Sequence, residues 1–314
     1  MRQGIELARA YWEQFGEPML REQFPELLPH VAAGLFGSGS ECFGYDDDIS
    51  RDHDFEPGFM LLLPGEDAVD RRAAFLLERA YSKLPKEFMG LSRGALQPVG
   101  GPRHGVIRAA DFFMEKTGSA DGVLTVGQWL SMPEYALAEA VNGEIFFDGP
   151  GDVTAVRERL ARYPRDIRLK KLAGHLLLMG QAGQYNYPRC LKHGESGAAQ
   201  LAAIEFARHA MSAVFLLNDA YQPYYKWAFR AMRSLPRLSL LAELVEYLIT
   251  TDNDAELAAA KADVIEGMAA DVIEELRAQG VTRADCGDLE KHAYSVNDAV
   301  EDAQIRNLHV LAAI

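Results

Sequence analysis

The stretch Gly34–Phe55, GLFGSGSECFGYDDDISRDHDF, decides how this chain reads. A short apolar run ends in a turn of small residues, Gly37, Ser38, Gly39 and Ser40, and eleven residues separate Ser40 from Asp52-His53-Asp54. A glycine–serine turn offers backbone N–H groups and hydroxyls to phosphate oxygens, and its glycines let the backbone approach closely. Two carboxylates at i and i+2 of a strand share one face, where they hold a hard cation such as Mg2+. A phosphate cradle beside a carboxylate pair is what phosphoryl or nucleotidyl transfer requires. His53 and Phe55 alternate to the opposite face, where core packing is expected.

Bulk composition narrows the partners. With 314 residues the chain is long enough for two domains, each with its own core. Its net charge of −14 argues against extended nucleic-acid binding, which draws its affinity from neutralised phosphates. The same charge slightly favours a small or cationic acceptor. Cys42, Cys190 and Cys286 form no CxxC pair, which reads as a reduced, cytoplasmic chain. The N-terminal residues interrupt their apolar run with Glu6, Arg9 and Glu13, unlike a signal peptide. Apolar runs such as Met60–Leu63 and Leu176–Met179 are too short to span a bilayer, so no membrane partner is expected.

Periodicity predicts a change of character along the chain. Residues 4–30 read as two packed helices, broken at Gly16-Glu17-Pro18 and Pro25, leading to a strand over 31–36. A short helix or loop at 40–45 follows, then a strand over 53–63 with a kink at Pro57-Gly58. Further on come a helix over 67–83, a Gly/Pro-rich loop over 90–103, a strand over 105–109, helices near 111–116 and 133–141, and a strand over 144–147. Asp148-Gly149-Pro150-Gly151 reads as a turn at a domain edge. Beyond it only helices are expected, over 152–163, 165–184, 197–218, 223–232, 237–250, 253–279 and 288–312. The expected fold class is α+β, with a mixed-sheet catalytic domain over 1–151 and a helical bundle over 152–314.

The step from Gly39-Ser40 to Asp52-His53-Asp54 resembles the signature of the DNA polymerase β-type nucleotidyltransferase superfamily, with His53 less apolar than the pattern asks. SRDHDF after GSGSE, with GQYNYPR (183–189) and PYYKWAFRAM (223–232), looks like a bacterial family of unknown function in that superfamily, over nearly the whole chain. The resemblance implies a polymerase-β-like N-terminal domain closed by a helical one, as in small stand-alone nucleotidyltransferases, including the aminoglycoside-modifying ones. It implies ATP or another NTP as substrate and two Mg2+ ions held by Asp52 and Asp54. A third carboxylate is also implied; Asp111 is chosen for it, although N-capping is the ordinary role at a helix start. Asp148, at a turn, and Glu56, before Pro57, fit that position less well.

In the helical half, Lys226 and Arg189 are candidate phosphate ligands. Tyr224, Tyr225 and Trp227 read either as a stacking platform or as helix packing. Tyr185, Asn186, Tyr187 and Arg189 are expected in a loop between helices. Glu205 is one choice of general base, against a solvated helix face. Gly194-Glu195-Ser196-Gly197 lacks the strand and spacing of a nucleophile elbow, and no P-loop occurs.

The reading that emerges is transfer of NMP, AMP from ATP first, to an acceptor hydroxyl with release of pyrophosphate. Two alternatives stand beside it. One is a non-catalytic nucleotide- or partner-binding protein on the same fold. The other is a helical-bundle ribonuclease using Arg168 and His175. An exposed helical face could support a homodimer.

Overall fold

The structure, a computed structural model, describes residues 4–47, 56–93 and 104–314. It divides into two compact units, one of residues 1–124 and 133–161, the other of residues 125–132 and 162–314. The expected edge at Asp148–Gly151 is a turn, but the helix after it packs within the first unit, so the division falls after Ala161.

Residues 4–23 form almost one helix. α1 (Gly4–Tyr11) runs through a π turn, Trp12–Gly16, into α2 (Glu17–Gln23), and a 3-10 turn, Pro25–His30, follows. The break expected at Gly16-Glu17-Pro18 is therefore a widening of the helix. Pro18 lacks an N–H and its ring crowds the preceding turn, and a wide turn just ahead of it accommodates both defects. Glycine is required at 16 because a Cβ there would collide with the rings of Phe59 and Trp12.

The rest of the first unit follows in chain order. It comprises β1 (Ala32–Leu35), a 3-10 turn at Glu41–Phe43, β2 (Met60–Leu63), α3 (Arg71–Ser82), and the small hairpin β3 (Glu87–Phe88) and β4 (Leu91–Ser92). Then come β5 (Gly105–Arg108), α4 (Ala109–Thr117), α5 (Val126–Ser131, part of the second unit), α6 (Glu134–Val141), β6 (Glu144–Asp148) and α7 (Asp152–Leu160). The main sheet has the order β5-β2-β1-β6. β1 is antiparallel to β2 and β6, whereas β2 and β5 are parallel, which requires a crossover that α3 supplies.

All four residues of β2 are buried. Leu61 and Leu63 join Ala33, Tyr11, Trp12, Phe59, Leu77 and Tyr81 in the unit's main core. The strand expected over 53–63 begins only at Met60, after the bend at Pro57-Gly58, and residues 53–55 lie outside the described ones.

In the second unit every regular element among the described residues is helical. They are α8 (Arg165–Met179), a π turn (Gly180–Asn186), α9 (Tyr187–Lys192), α10 (Ser196–Leu217), α11 (Tyr225–Arg233), α12 (Leu241–Thr250), α13 (Ala255–Ala278), α14 (Leu289–Asp298) and α15 (Ala303–Arg306). α10 packs closely because Ala199, Ala203, Ala207, Ala210 and Ala213 are fully buried on it. The loop expected at 185–189 is helical, and its π turn again precedes a proline, Pro188.

The helix expected over 288–312 breaks at Ala299–Asp302. There the Asp166 carboxylate accepts from the N–H groups of Glu301 and Asp302, and Asp302 accepts from those of Gln304 and Ile305. Side chains thus take the amides that a helix would use. Lys170 of α8 fixes the segment beyond, donating to Asn297 Oδ1 at 2.7 Å, Arg306 O at 3.2 Å and Leu308 O at 2.6 Å. The architecture is the expected one: a mixed sheet with helices, followed by a helical region. No described helix is long and apolar enough to cross a membrane.

Candidate functional site

The turn Gly37–Ser40 leaves the end of β1. Gly37 has φ +118°, a conformation that suits glycine alone. Its N–H donates to Asn142 Oδ1 and its carbonyl accepts from Asn142 Nδ2, both at 2.8 Å. The pairing of Leu35 with Glu144 carries Asn142, two residues before β6, to Gly37, two residues beyond β1. Gly34 and Gly143 permit that approach, since a Cβ at 34 would meet the Glu144 carbonyl and one at 143 the Leu35 carbonyl.

Beyond Gly37 the N–H groups and the carbonyls of the turn differ in their partners, with Gly39 buried and Ser38 and Ser40 half-buried. Among the described residues no protein acceptor takes the N–H of Ser38, Gly39 or Ser40. The carbonyls of Gly39 and Ser40 are engaged by Cys42 N–H and by Phe43 and Tyr45 N–H. Glu41 is 6% exposed and its carboxylate folds back on Gly39, so any side chain at 39 would strike it. Its Oε2 lies 3.5 Å from Ser40 Oγ. Reading the sequence for carboxylates two apart passed over Glu41; its place directly after the turn was the available signal.

Arg157 of α7 braces the turn from below. Its guanidinium lies 4.6 Å over the Phe36 ring, and Nη2 donates to the carbonyls of Val141 and Asn142 at 2.8 and 2.5 Å. Nη1 is buried and has no hydrogen-bond partner among the described residues. Burial pulls this guanidinium down to about 10, against a small opposing influence of Cys42. Phe112 of α4 meets Phe36 edge-on at 5.0 Å, which brings the start of α4 to the same neighbourhood.

Asp111 sits in the first turn of α4, exposed, and caps nothing; the N-cap position is Arg108, whose Nη1 donates to Pro64 O at 2.5 Å. Asp148 is the last residue of β6, opposite Ala32, and its side chain holds the following turn, accepting from Gly151 N–H and from Thr154 N–H and Oγ1. Glu56 faces His104 at 3.4 Å. Asp52 and Asp54 lie outside the described residues, and among the described ones no three histidine, cysteine or carboxylate side chains cluster for a metal.

In the second unit, Arg189 is exposed on α9, 4.9 Å over Tyr185, and Lys226 is exposed in the first turn of α11, 4.9 Å over Trp227. Tyr224 and Tyr225 are exposed with ring centres 4.4 Å apart. Glu205 pairs with Arg208 and His209 on a solvated face. His175 and His209 meet Nδ1 to Nδ1 at 2.9 Å, a contact that needs one donor and one acceptor and so excludes a pair in which both rings are protonated. Burial, then His209 and Lys171, hold His175 well below the usual value. Burial also lowers His209, with Glu205 opposing and Arg208 adding. Arg168 donates to Leu216 O and Gln279 Oε1. Both members of the expected Arg168/His175 ribonuclease pair thus have internal partners.

Residues 129–228 match one described family. It is a domain of unknown function, DUF4037. The matched segment is about a third of the chain and contains Asn142, Arg157, Arg189 and Lys226, but neither the Gly37–Ser40 turn nor Asp52 and Asp54. No curated protein matches the chain. Among solved structures, a nucleotidyltransferase-like protein from Exiguobacterium sibiricum 255-15 is similar, at 12% identity and a TM-score of 0.35, with 90% of each chain covered. A likeness at that level speaks to no residue of the site.

Proposed function

We propose that the chain is a Mg2+-dependent nucleotidyltransferase on a polymerase-β-like fold, transferring NMP, AMP from ATP in the first instance, to an acceptor hydroxyl. The observation that carries this reading is the turn itself. Among the described residues three consecutive N–H groups, of Ser38, Gly39 and Ser40, have no protein acceptor beyond the end of a central strand, with two hydroxyls beside them. Such a turn suits phosphate oxygens. In the reaction the acceptor oxygen bonds to the α-phosphorus, the bridging bond to the β-phosphate oxygen breaks, and pyrophosphate leaves. The hydroxyl proton passes to a base, for which Glu205 has only its solvated position to offer.

The donor chemistry fits the cation. Glu41 places a buried carboxylate against Gly39, where it would repel phosphates unless a cation lay between them. Carboxylate and hydroxyl oxygens are the ligands Mg2+ prefers. Asp52 and Asp54 would hold the metal pair, which when bound neutralises charge on the transferring phosphoryl group. Ser38, Gly39 and Ser40 would hold phosphate oxygens, and Lys226 or Arg189 would add positive charge. Gly37 provides the bend. Asp111, exposed at the start of α4, is the proposed third carboxylate.

The test is calorimetric titration of ATP and the other NTPs, with and without Mg2+, on wild type and on Asp52→Asn/Asp54→Asn. Mg2+-dependent binding that the double variant loses supports the site, and a pyrophosphate-release assay over hydroxyl acceptors then tests transfer. Absence of binding to every NTP would overturn the proposal. Mg2+-dependent binding without pyrophosphate release from any acceptor would favour the non-catalytic reading.

A further inference from the structure

Most of the polar groups around the turn have ordinary structural duties. Asn142 is different, because its side chain does to Gly37 what a neighbouring strand would do. The amide Oδ1 accepts from the Gly37 N–H and Nδ2 donates to the Gly37 carbonyl, each at 2.8 Å, across 105 residues of sequence. The β1–β6 ladder ends at Leu35 and Glu144, so this pair of bonds extends the ladder by one step with a side chain in place of backbone. Two consequences follow. The Gly37 N–H is taken and cannot serve a phosphate. The chain direction on leaving Gly37 is set, and with it the orientation of the three N–H groups that follow.

The anchor of this clamp is itself held. Arg157 Nη2 bonds the carbonyls of Val141 and of Asn142, while the same guanidinium covers Phe36, the residue before Gly37. Both sides of the clamp therefore rest on one side chain. A left-handed glycine without such a brace would have a wide choice of conformations.

We infer that Asn142 is a positioning residue: its bidentate hold on Gly37 presets the N–H groups of Ser38, Gly39 and Ser40 to receive an anionic oxygen, here that of a nucleoside triphosphate. The inference rests on the proposed function for the identity of the anion, but not for the existence of the clamp. Preset donors need no reordering when the anion arrives, which is the source of the gain.

Two readouts on the full-length chain separate these layers. Hydrogen exchange at the Gly37 amide is measured without ligand, and Mg2+–ATP affinity by calorimetry, for wild type, Asn142→Ala, Asn142→Asp and the control Asp70→Ala. Asp70 caps α3 in the same unit by accepting from Ala73 N–H, so its loss costs stability away from the turn. The expected result is exchange of the Gly37 amide about tenfold faster in Asn142→Ala, with Mg2+–ATP affinity about tenfold weaker, and neither change in Asp70→Ala. Asn142→Asp should behave like Asn142→Ala, because a carboxylate oxygen would then face the Gly37 carbonyl.

Unchanged exchange of the Gly37 amide in Asn142→Ala overturns the inference. So does faster exchange with unchanged affinity, or an equal loss of affinity in Asp70→Ala. A wild-type chain that binds no nucleotide, yet whose turn loosens in Asn142→Ala alone, defeats the proposed function and keeps the clamp.

Discussion

Lys170 in the second unit and Arg157 in the first are both drawn out of water, and neither pairs with a carboxylate among the described residues. Their coordination differs. Lys170 is fully buried and its three protons have three acceptors, Asn297 Oδ1 and the carbonyls of Arg306 and Leu308. Arg157 bonds two carbonyls through one nitrogen and leaves Nη1 buried without a partner among the described residues. A buried cation with every donor matched is a fastener. One with a donor unmatched contributes less to the fold than it could.

The comparison breaks most easily at Lys170. Lys170→Met keeps the volume but strands Asn297 Oδ1 and the Leu308 carbonyl, at roughly 1–3 kcal/mol for each group left unsatisfied, while the Arg306 carbonyl keeps Asn297 Nδ2. A loss of about 3 kcal/mol or more is expected, which lowers the melting temperature of a unit this size by about 6–12 °C. Differential scanning calorimetry reads it directly. A variant as stable as wild type would mean that Lys170 fastens nothing. Arg157→Met should cost less, about 1–2 kcal/mol, since only the bonds to Val141 and Asn142 are lost. If Arg157→Met destabilises more than Lys170→Met in the same experiment, the contrast between the two cations is reversed.

The smallest effect sharpens the picture within the second unit. His175 and His209 are held neutral, below the usual histidine value of about 6.5. The unfolded chain therefore binds protons that the folded pair refuses. Their contribution to stability is fully present above pH ~6.5 and is lost as the pH falls from there through the folded values. Thermal midpoints should drop by a few degrees between pH ~7 and pH ~5, and His175→Asn/His209→Asn should flatten that slope. An unchanged slope in the double variant would assign it to other groups.

Legibility in the sequence followed the range of the interactions. β1, β5, β6, α3, α6, α10 and α13 are readable because alternation, helical spacing and turn residues are local signals. The break at Ala299–Asp302 is not, because its cause is Asp166, over 130 residues away in the chain. Local signals could not reveal Asn142 either, since only the β1–β6 register brings it to Gly37. Lys170 and Lys261 look like surface residues until the acceptors that surround them are known. The Gly/Ser turn was legible as a turn; that Gly37 is occupied and that Glu41 lies against Gly39 were not.

The two π turns, Trp12–Gly16 and Gly180–Asn186, each end two residues short of a proline. An α-helix advances about 100° per residue, so each wide turn changes the phase of everything downstream relative to what came before. Tyr187 ends up wholly buried while Tyr185, two positions earlier, is 59% exposed. Removing a single residue from such a turn would therefore act less as a shortening than as a rotation, exchanging inward and outward faces of the helix that follows.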